Sequence, residues 1–411
     1  GLGDVYKRQS GGYSRGDPEY RRIELALFIA AFVSFAQMYE TQVLLPEISK
    51  HFHLDPSVAS LTVSLTTGGL ALALFLVGPS SERLGRRPII LTSILVTSLV
   101  GMVLGFAPSW HLLLAGRFLQ GIAAAGLPAV ATAYLAEEVR PRDLPRAAGV
   151  YIAGTGLGGL FGRILSGVIS HFLPWHWVLT VIGVAGVLFS LLVWRLLPPQ
   201  ENFQKSPPGI KILIAHTKAV LSEPGLALLF LIGALTLGAY QAVFNMVPYR
   251  FSVAPYLFPA WIVSGFFLVN AFGSLAASVS GNLVARYGRR RVMPLAALLT
   301  LIGLVLTIFE TLWIVIPALI IFAIGFFAVH ATASGWVTAR AVAGVGAAGQ
   351  AASAYSISYY LGGSCFGTVG GIAWYHWGWS GLVALTGSLI ALVVVFAVLL
   401  RRIPPLQKSG Y

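Results

Sequence analysis

Long apolar runs separated by short polar stretches occupy most of the chain. A helix that crosses a bilayer needs about 20 mostly apolar residues. Twelve runs meet that requirement, near 23–46, 57–78, 88–107, 110–136, 146–172, 175–197, 225–247, 258–284, 291–310, 313–338, 347–374 and 378–402. The longest polar interval, 198–224, is rich in proline and charge and reads as a linker. The pattern predicts an all-α membrane protein of twelve transmembrane helices in two six-helix bundles. Its expected parts are a tail (1–22), a first bundle (23–197), a linker (198–224), a second bundle (225–403) and a tail (404–411). The opening GLGDVYKRQ reads as foreign to the membrane domain, so roughly the first twenty residues are set aside from the fold reading. The first apolar run reads as a retained span.

Composition agrees with the pattern. The chain is 57% hydrophobic and 10% charged, against about 25% charged in a soluble domain. The net charge is +13, but its placement argues against nucleic acid. With both ends inside, 23 of the 27 Lys and Arg lie at the cytoplasmic side, Lys50 and Arg250 face outward, and Arg117 and Arg163 fall inside the membrane. That is the positive-inside distribution of a plasma-membrane protein, with basic loops that meet anionic lipid headgroups. The single cysteine, Cys365, excludes an intrachain disulfide.

Two loops carry the same cassette about half a chain apart. Residues 78–88 read GPSSERLGRRP and residues 281–291 read GNLVARYGRRR. Each joins the second and third spans of its own half. Leu157-Gly158-Gly159 and Leu361-Gly362-Gly363 repeat at nearly the same offset. Six-span halves in the same orientation are parallel repeats, a mark of transporters built around a central site.

The cassette Gly78-x3-Glu82-Arg83-x-Gly85-Arg86-Arg87 resembles the loop signature of the major facilitator superfamily, G-x-x-x-D-R-x-G-R-R. The resemblance covers about residues 20–403. It implies that Gly78 lets span 2 approach span 11, that the acid caps span 11, and that the basic residues lock the inside-closed state. A carboxylate is favoured at a helix N-terminus by the helix dipole and the free N–H groups. Glu82 stands where Asp is usual. The second copy (Gly281, Arg286, Gly288, Arg289, Arg290) has Ala285 at that position and lacks the contact. The alternative for both copies is a simple positive-inside anchor. Arg117-Phe118-Leu119-Gln120-Gly121 resembles the family's R-x-x-Q-G in span 4. Gly149-x8-Gly158-x3-Gly162-Arg163-x2-Ser166-Gly167 resembles the span-5 glycine pattern of the family's antiporters, with Arg163 in place of proline. These glycines equally suit close helix packing alone. Together with YETQVLLP at 39–46, the resemblance implies the bacterial sugar- and drug-efflux branch.

Ionisable residues inside a bilayer are costly, on the order of 3 kcal/mol each when unpaired, so they mark candidate chemistry. At about 1.5 Å per residue, Glu40, Arg117 and Arg163 lie roughly 8–13 Å from the outer end of their spans. They share one layer of the first half. Glu40 is the candidate carrier of a coupling proton, with Arg117 and Arg163 as its partners; a fixed Glu40–Arg117 bridge is the open alternative. Candidate cavity residues are Tyr39, Gln42, Gln120, Tyr240, Gln241, Asn245, His330, Tyr355 and Tyr359, although a lone His330 is as readily a packed, hydrogen-bonded side chain.

Gly154-x-Gly156-x-x-Gly159 and Gly344-x-Gly346-x-x-Gly349 fit a dinucleotide pattern only on paper, since neither follows a strand. No phosphate-binding G-x-x-x-x-G-K-[ST], no H-E-x-x-H and no G-x-S-x-G occurs. The expectation is therefore a transporter and not an enzyme, needing no cofactor or metal. Its partners would be a small-molecule substrate, protons and membrane lipids, and it would work as a monomer. Proton-coupled efflux is the first reading; an importer or facilitator of the same fold, or a non-transporting membrane sensor, are the others.

Overall fold

The computed structural model describes residues 12–203, 205, 210–344 and 347–404. The opening nine residues and the end of the chain from 405 lie outside the described residues. In chain order the helices are α1 (Pro18–Tyr39), α2 (Leu45–Phe52), α3 (Pro56–Ala59), α4 (Leu61–Leu84), α5 (Arg86–Leu104), α6 (Trp110–Ala124), α7 (Gly126–Glu138), α8 (Leu144–Ser170) and α9 (Trp175–Leu196). They continue as α10 (Ile210–Ser222), α11 (Pro224–Ser252), α12 (Ala260–Gly265), α13 (Val269–Tyr287), α14 (Arg289–Leu306), α15 (Leu312–Gly344) and α16 (Ala348–Leu399). Among the described residues the only strand-like pairing is one bridge, Tyr13 to Val139.

Among the described residues, ten helical runs are long and apolar enough to cross a membrane. The two further expected spans are present in altered form. α16 counts as one run but holds two expected spans, joined at Gly378, whose φ of 61° breaks the helical path. α14 is 18 residues long and starts with three arginines, which dilute its apolar window. The linker is not irregular throughout, because α10 lies within it.

One difference from the expected spans matters for the site. The first membrane helix stops at Tyr39 rather than near residue 46. A short turn follows, and α2 begins at Leu45 with Pro46 in its first turn. Proline has no N–H to continue a helical ladder but suits a helix start.

The described residues divide into two compact units. One comprises the described parts of Gly1–Thr41 and Leu72–Pro208; the other comprises Gln42–Ala71 and the described parts of Gly209–Tyr411. In the first unit, α8 lies backbone to backbone on α1. A Cβ at Gly158 or Gly162 would collide with the main chain of Phe32 or Ala36. At Gly149 a Cβ would meet nothing within 4 Å, so packing requires glycine at 158 and 162 and not at 149. Gly167 is buried on the same helix.

In the second unit, residues 42–71 pack on α11 and α16 through uncharged hydrogen bonds. The Tyr249 hydroxyl donates to Leu45 O (3.0 Å) and bonds the Ser49 hydroxyl (2.5 Å). Ser364 Oγ donates to Ser64 O (2.6 Å). A Cβ at Gly371 would touch the backbone of Ser57 at 2.5 Å.

Candidate functional site

Arg117, on α6, is fully buried in the first unit. A guanidinium has five N–H donors and no acceptor, so its burial requires oxygen on several sides. Its Nη1 donates to Glu40 Oε1 (3.1 Å), Gln120 Oε1 (2.6 Å) and Gln37 O (3.0 Å). Its Nη2 donates to Met38 O (2.8 Å). Gln37 and Met38 lie in the last turn of α1, where carbonyls lack helical partners and the dipole favours a cation. Arg117 therefore caps α1 and pairs with Glu40 at once, which accounts for a helix ending at Tyr39.

Glu40 is also fully buried. Its Oε1 faces Arg117; its Oε2 accepts no hydrogen bond among the described residues. An amide chain extends the cluster. Gln120 Nε2 donates to Gln37 Oε1 (3.3 Å) and Thr97 O (3.3 Å), and Gln37 Nε2 donates to Ser98 Oγ (2.9 Å). Two glycines make room for these amides. A Cβ at Gly101 would lie 2.8 Å from both Gln120 Nε2 and Gln37 Oε1, and one at Gly186 would overlap Gln37 Nε2. Arg163 takes a different role. Its Nη1 donates to Gly159 O of its own helix (2.6 Å), and its guanidinium lies 4.1 Å from the centre of the Tyr39 ring, a cation–π contact.

The remaining cavity candidates belong to the second unit, in two groups. Gln42 Nε2 donates to Asn245 Oδ1 (2.6 Å), Asn245 Nδ2 to Gly367 O (3.4 Å), and Gln241 Nε2 to Thr67 Oγ1 (3.3 Å). Gln42 and Gln241 thus join the seam between residues 42–71 and α11. The second group is aromatic. His330 Nδ1 lies 2.9 Å from the Tyr355 hydroxyl, and its ring stacks on Tyr359 with centres 4.3 Å apart. Tyr240 stacks on Phe326 (4.0 Å) and donates to Asn270 Oδ1 (2.9 Å). His330 is both packed and hydrogen-bonded.

The first cassette is internally bound. Arg86 is buried, with Nη2 2.7 Å from Glu82 Oε1, Nε 3.1 Å from Glu137 Oε1, and Nη1 on Ser81 Oγ. Glu82 therefore pairs with Arg86 one turn on, while Arg83 is exposed. A Cβ at Gly78 or Gly281 would meet nothing within 4 Å, so sterics require glycine at neither. Sequence reasoning missed Gln37, Ser98, Gly101, Gly186 and Glu137. Gln37 was within reach, because it lies three residues before Glu40 and so near the same helix face.

Residues 27–259 and 254–410 match the profile of the Major Facilitator Superfamily. The chain belongs to the major facilitator superfamily. It is 37% identical over 394 residues to the MFS-type transporter YybF of Bacillus subtilis, covering 94% of this chain and 95% of YybF. It is 36% identical over 385 residues to the inner membrane transport protein YnfM of Escherichia coli, covering 94% and 91%. Its fold is similar to that of a bacterial homologue of the human lysosomal transporter Spinster, with a TM-score of 0.78 at 16% identity, covering 94% of this chain and 97% of the other. The nucleoside transporter NupG gives 0.74 at 14% identity, covering 92% and 99%. This major facilitator chain is a multi-pass membrane transporter and not an enzyme.

Proposed function

We propose that this transporter exports a small molecule (a drug, sugar or metabolite) from a bacterial cell in exchange for protons. It would act as a single chain in the inner membrane, with both termini cytoplasmic, and by alternating access. Glu40 is the proposed proton carrier. The observation that carries this reading is the asymmetry of its carboxylate, with one oxygen on Arg117 and the other, fully buried, accepting nothing among the described residues. A buried acceptor without a partner is costly, and a proton on Oε2 would relieve that cost. The positive-inside charge pattern supports the topology, and the span-5 glycines support the antiporter branch.

A second reading also has its own observation. Three uncharged oxygens hold Arg117 besides Glu40. A guanidinium so well satisfied is equally a fixed tie between α1 and α6, as in a facilitator that needs no proton. Inverted membrane vesicles with an acid interior separate the two. A panel of sugars, cationic drugs and organic anions is added while a pH-sensitive dye reports the lumen. Proton release on adding one compound, lost in Glu40→Gln, is the expected result. Release that persists unchanged in Glu40→Gln would remove Glu40 as carrier.

A further inference from the structure

The two cassettes fold alike along the backbone and part company at one side chain. Gly85 and Gly288 each take a positive φ, 89° and 83°, immediately before a helix. The offset that pairs these glycines pairs Arg87 with Arg290, and the two residues serve the same end. Arg87 donates to Trp194 O (3.1 Å) and Leu197 O (3.0 Å) at the close of α9. Arg290 donates to Arg401 O (3.2 Å) and Ile403 O (2.6 Å) just past the close of α16.

The same offset pairs Arg86 with Arg289, and there the likeness ends. The partners of Arg86 are Ser81, Glu82 and Glu137. Their counterparts are Val284, Ala285 and Arg340. The hydroxyl and one carboxylate have become apolar, and the other carboxylate has become a cation that pairs with Glu223. Neither Arg289 nor Arg291 forms an ion pair or side-chain hydrogen bond among the described residues.

Beside them is a broad, shallow surface cavity of about 740 Å³. Its wall includes Val284, Ala285, Arg289, Arg290, Arg291 and Trp336 and, among the described residues, no carboxylate. A guanidinium matches phosphate oxygens in a two-pronged geometry. The start of α14 adds a modest attraction for an anion. Val284, Ala285 and Trp336 provide an apolar side to the same space. We propose that this cavity binds a phosphate-bearing anion through Arg289 and Arg291, with the ligand's apolar part against Trp336. Two sources share that chemistry: the headgroup of an anionic phospholipid and a soluble phosphate ester. Only the lipid source depends on the membrane topology proposed above, and binding is measured apart from transport.

The test uses the full-length protein in a non-ionic detergent. Short-chain phosphatidylglycerol, short-chain phosphatidylcholine and glycerol 1-phosphate are titrated separately while Tm is recorded. The variants are Arg289→Ala/Arg291→Ala and Ala285→Glu. The second variant restores the carboxylate of the first cassette on an exposed position, so it keeps the test open if the double variant folds poorly. The expected result is a saturable rise in Tm with an anionic phosphate, with half-saturation about tenfold higher in both variants. Binding of phosphatidylglycerol alone identifies a lipid site; equal binding of glycerol 1-phosphate identifies a soluble ester held by the arginines and overturns the contact with Trp336. The proposal is overturned by no saturable response to either anion, by an equal response to phosphatidylcholine, or by a response that both variants leave unchanged.

Discussion

Two glutamate–arginine pairs, one in each unit, are built in opposite ways, Glu40–Arg117 fully buried and Glu223–Arg340 with its carboxylate half-buried. Glu223 and Arg340 meet through two parallel bonds, Nε to Oε2 at 2.8 Å and Nη2 to Oε1 at 2.7 Å. Glu223 also caps α11, accepting from Gly225 N and Leu226 N, and Arg340 ties down Pro404 O. Both of its carboxylate oxygens are used twice. Glu40 and Arg117 meet through one bond, and one oxygen of Glu40 is left without a described partner. A fully satisfied pair resists change, whereas a carboxylate with one idle oxygen has chemistry left to do. On the function proposed above, Glu223–Arg340 is a fastening and Glu40–Arg117 is the site at which a proton is taken up and released.

The sharpest way to break this comparison is Arg117→Ala. It leaves the Glu40 charge buried and two helix-end carbonyls uncapped, so stability should fall by about 3–5 kcal/mol and transport should vanish; thermal unfolding in detergent and vesicle flux measure the two. Glu40→Gln keeps an acceptor for Arg117 but leaves its buried charge without a counter-ion, so stability should fall by about 2–3 kcal/mol, less than in Arg117→Ala, while proton exchange ends. Arg340→Ala should destabilise by about 2–3 kcal/mol, less than Arg117→Ala because Glu223 keeps two backbone donors and some water. Its flux per folded molecule should stay near that of the parent chain, and a loss of flux would erase the proposed division of labour.

Next in size is the glycine contrast on α8. Gly158→Ala should cost about 1–3 kcal/mol through overpacking against Phe32, whereas Gly149→Ala should stay within about 1 kcal/mol of neutral. Matched melting curves would show it.

The smallest effect is a pH dependence. Burial alone would raise the pKa of Glu223, but the Arg340 hydrogen bonds and the two backbone N–H donors outweigh it and hold the carboxyl below its ordinary value. A depressed folded-state pKa contributes stability above the unfolded value, about 4.3, and loses it as pH falls through the folded one. The Tm advantage of the parent chain over Glu223→Gln should therefore be constant above about pH 5 and shrink below about pH 4. A constant gap down to pH 3 would contradict the bidentate geometry.

The all-helical class and the repeat were legible because spans are written in unbroken apolar runs and the cassettes in rare residue combinations. Arg117 and Glu40 stood out for the same reason, since charge in an apolar run is conspicuous. Gln37 and Ser98 were not legible, because neutral polar residues are common in such helices and only packing shows which ones meet. Gly101 and Gly186 were hidden among 46 glycines. The early end of α1 depends on a residue distant in sequence, Arg117, taking its carbonyls. The break at Gly378 fell between two expected spans that sequence separates and the backbone joins.

The way Arg117 is held determines what can replace it. Its two terminal nitrogens reach four oxygens on both α1 and its own helix. A lysine would bring the same charge, but its three hydrogens radiate from a single atom at the end of a flexible stem. It could neutralise Glu40 or finish the helix, not both. Position 117 therefore selects for shape as much as for sign, and Arg117→Lys is a severe substitution in this chain despite conserving every charge.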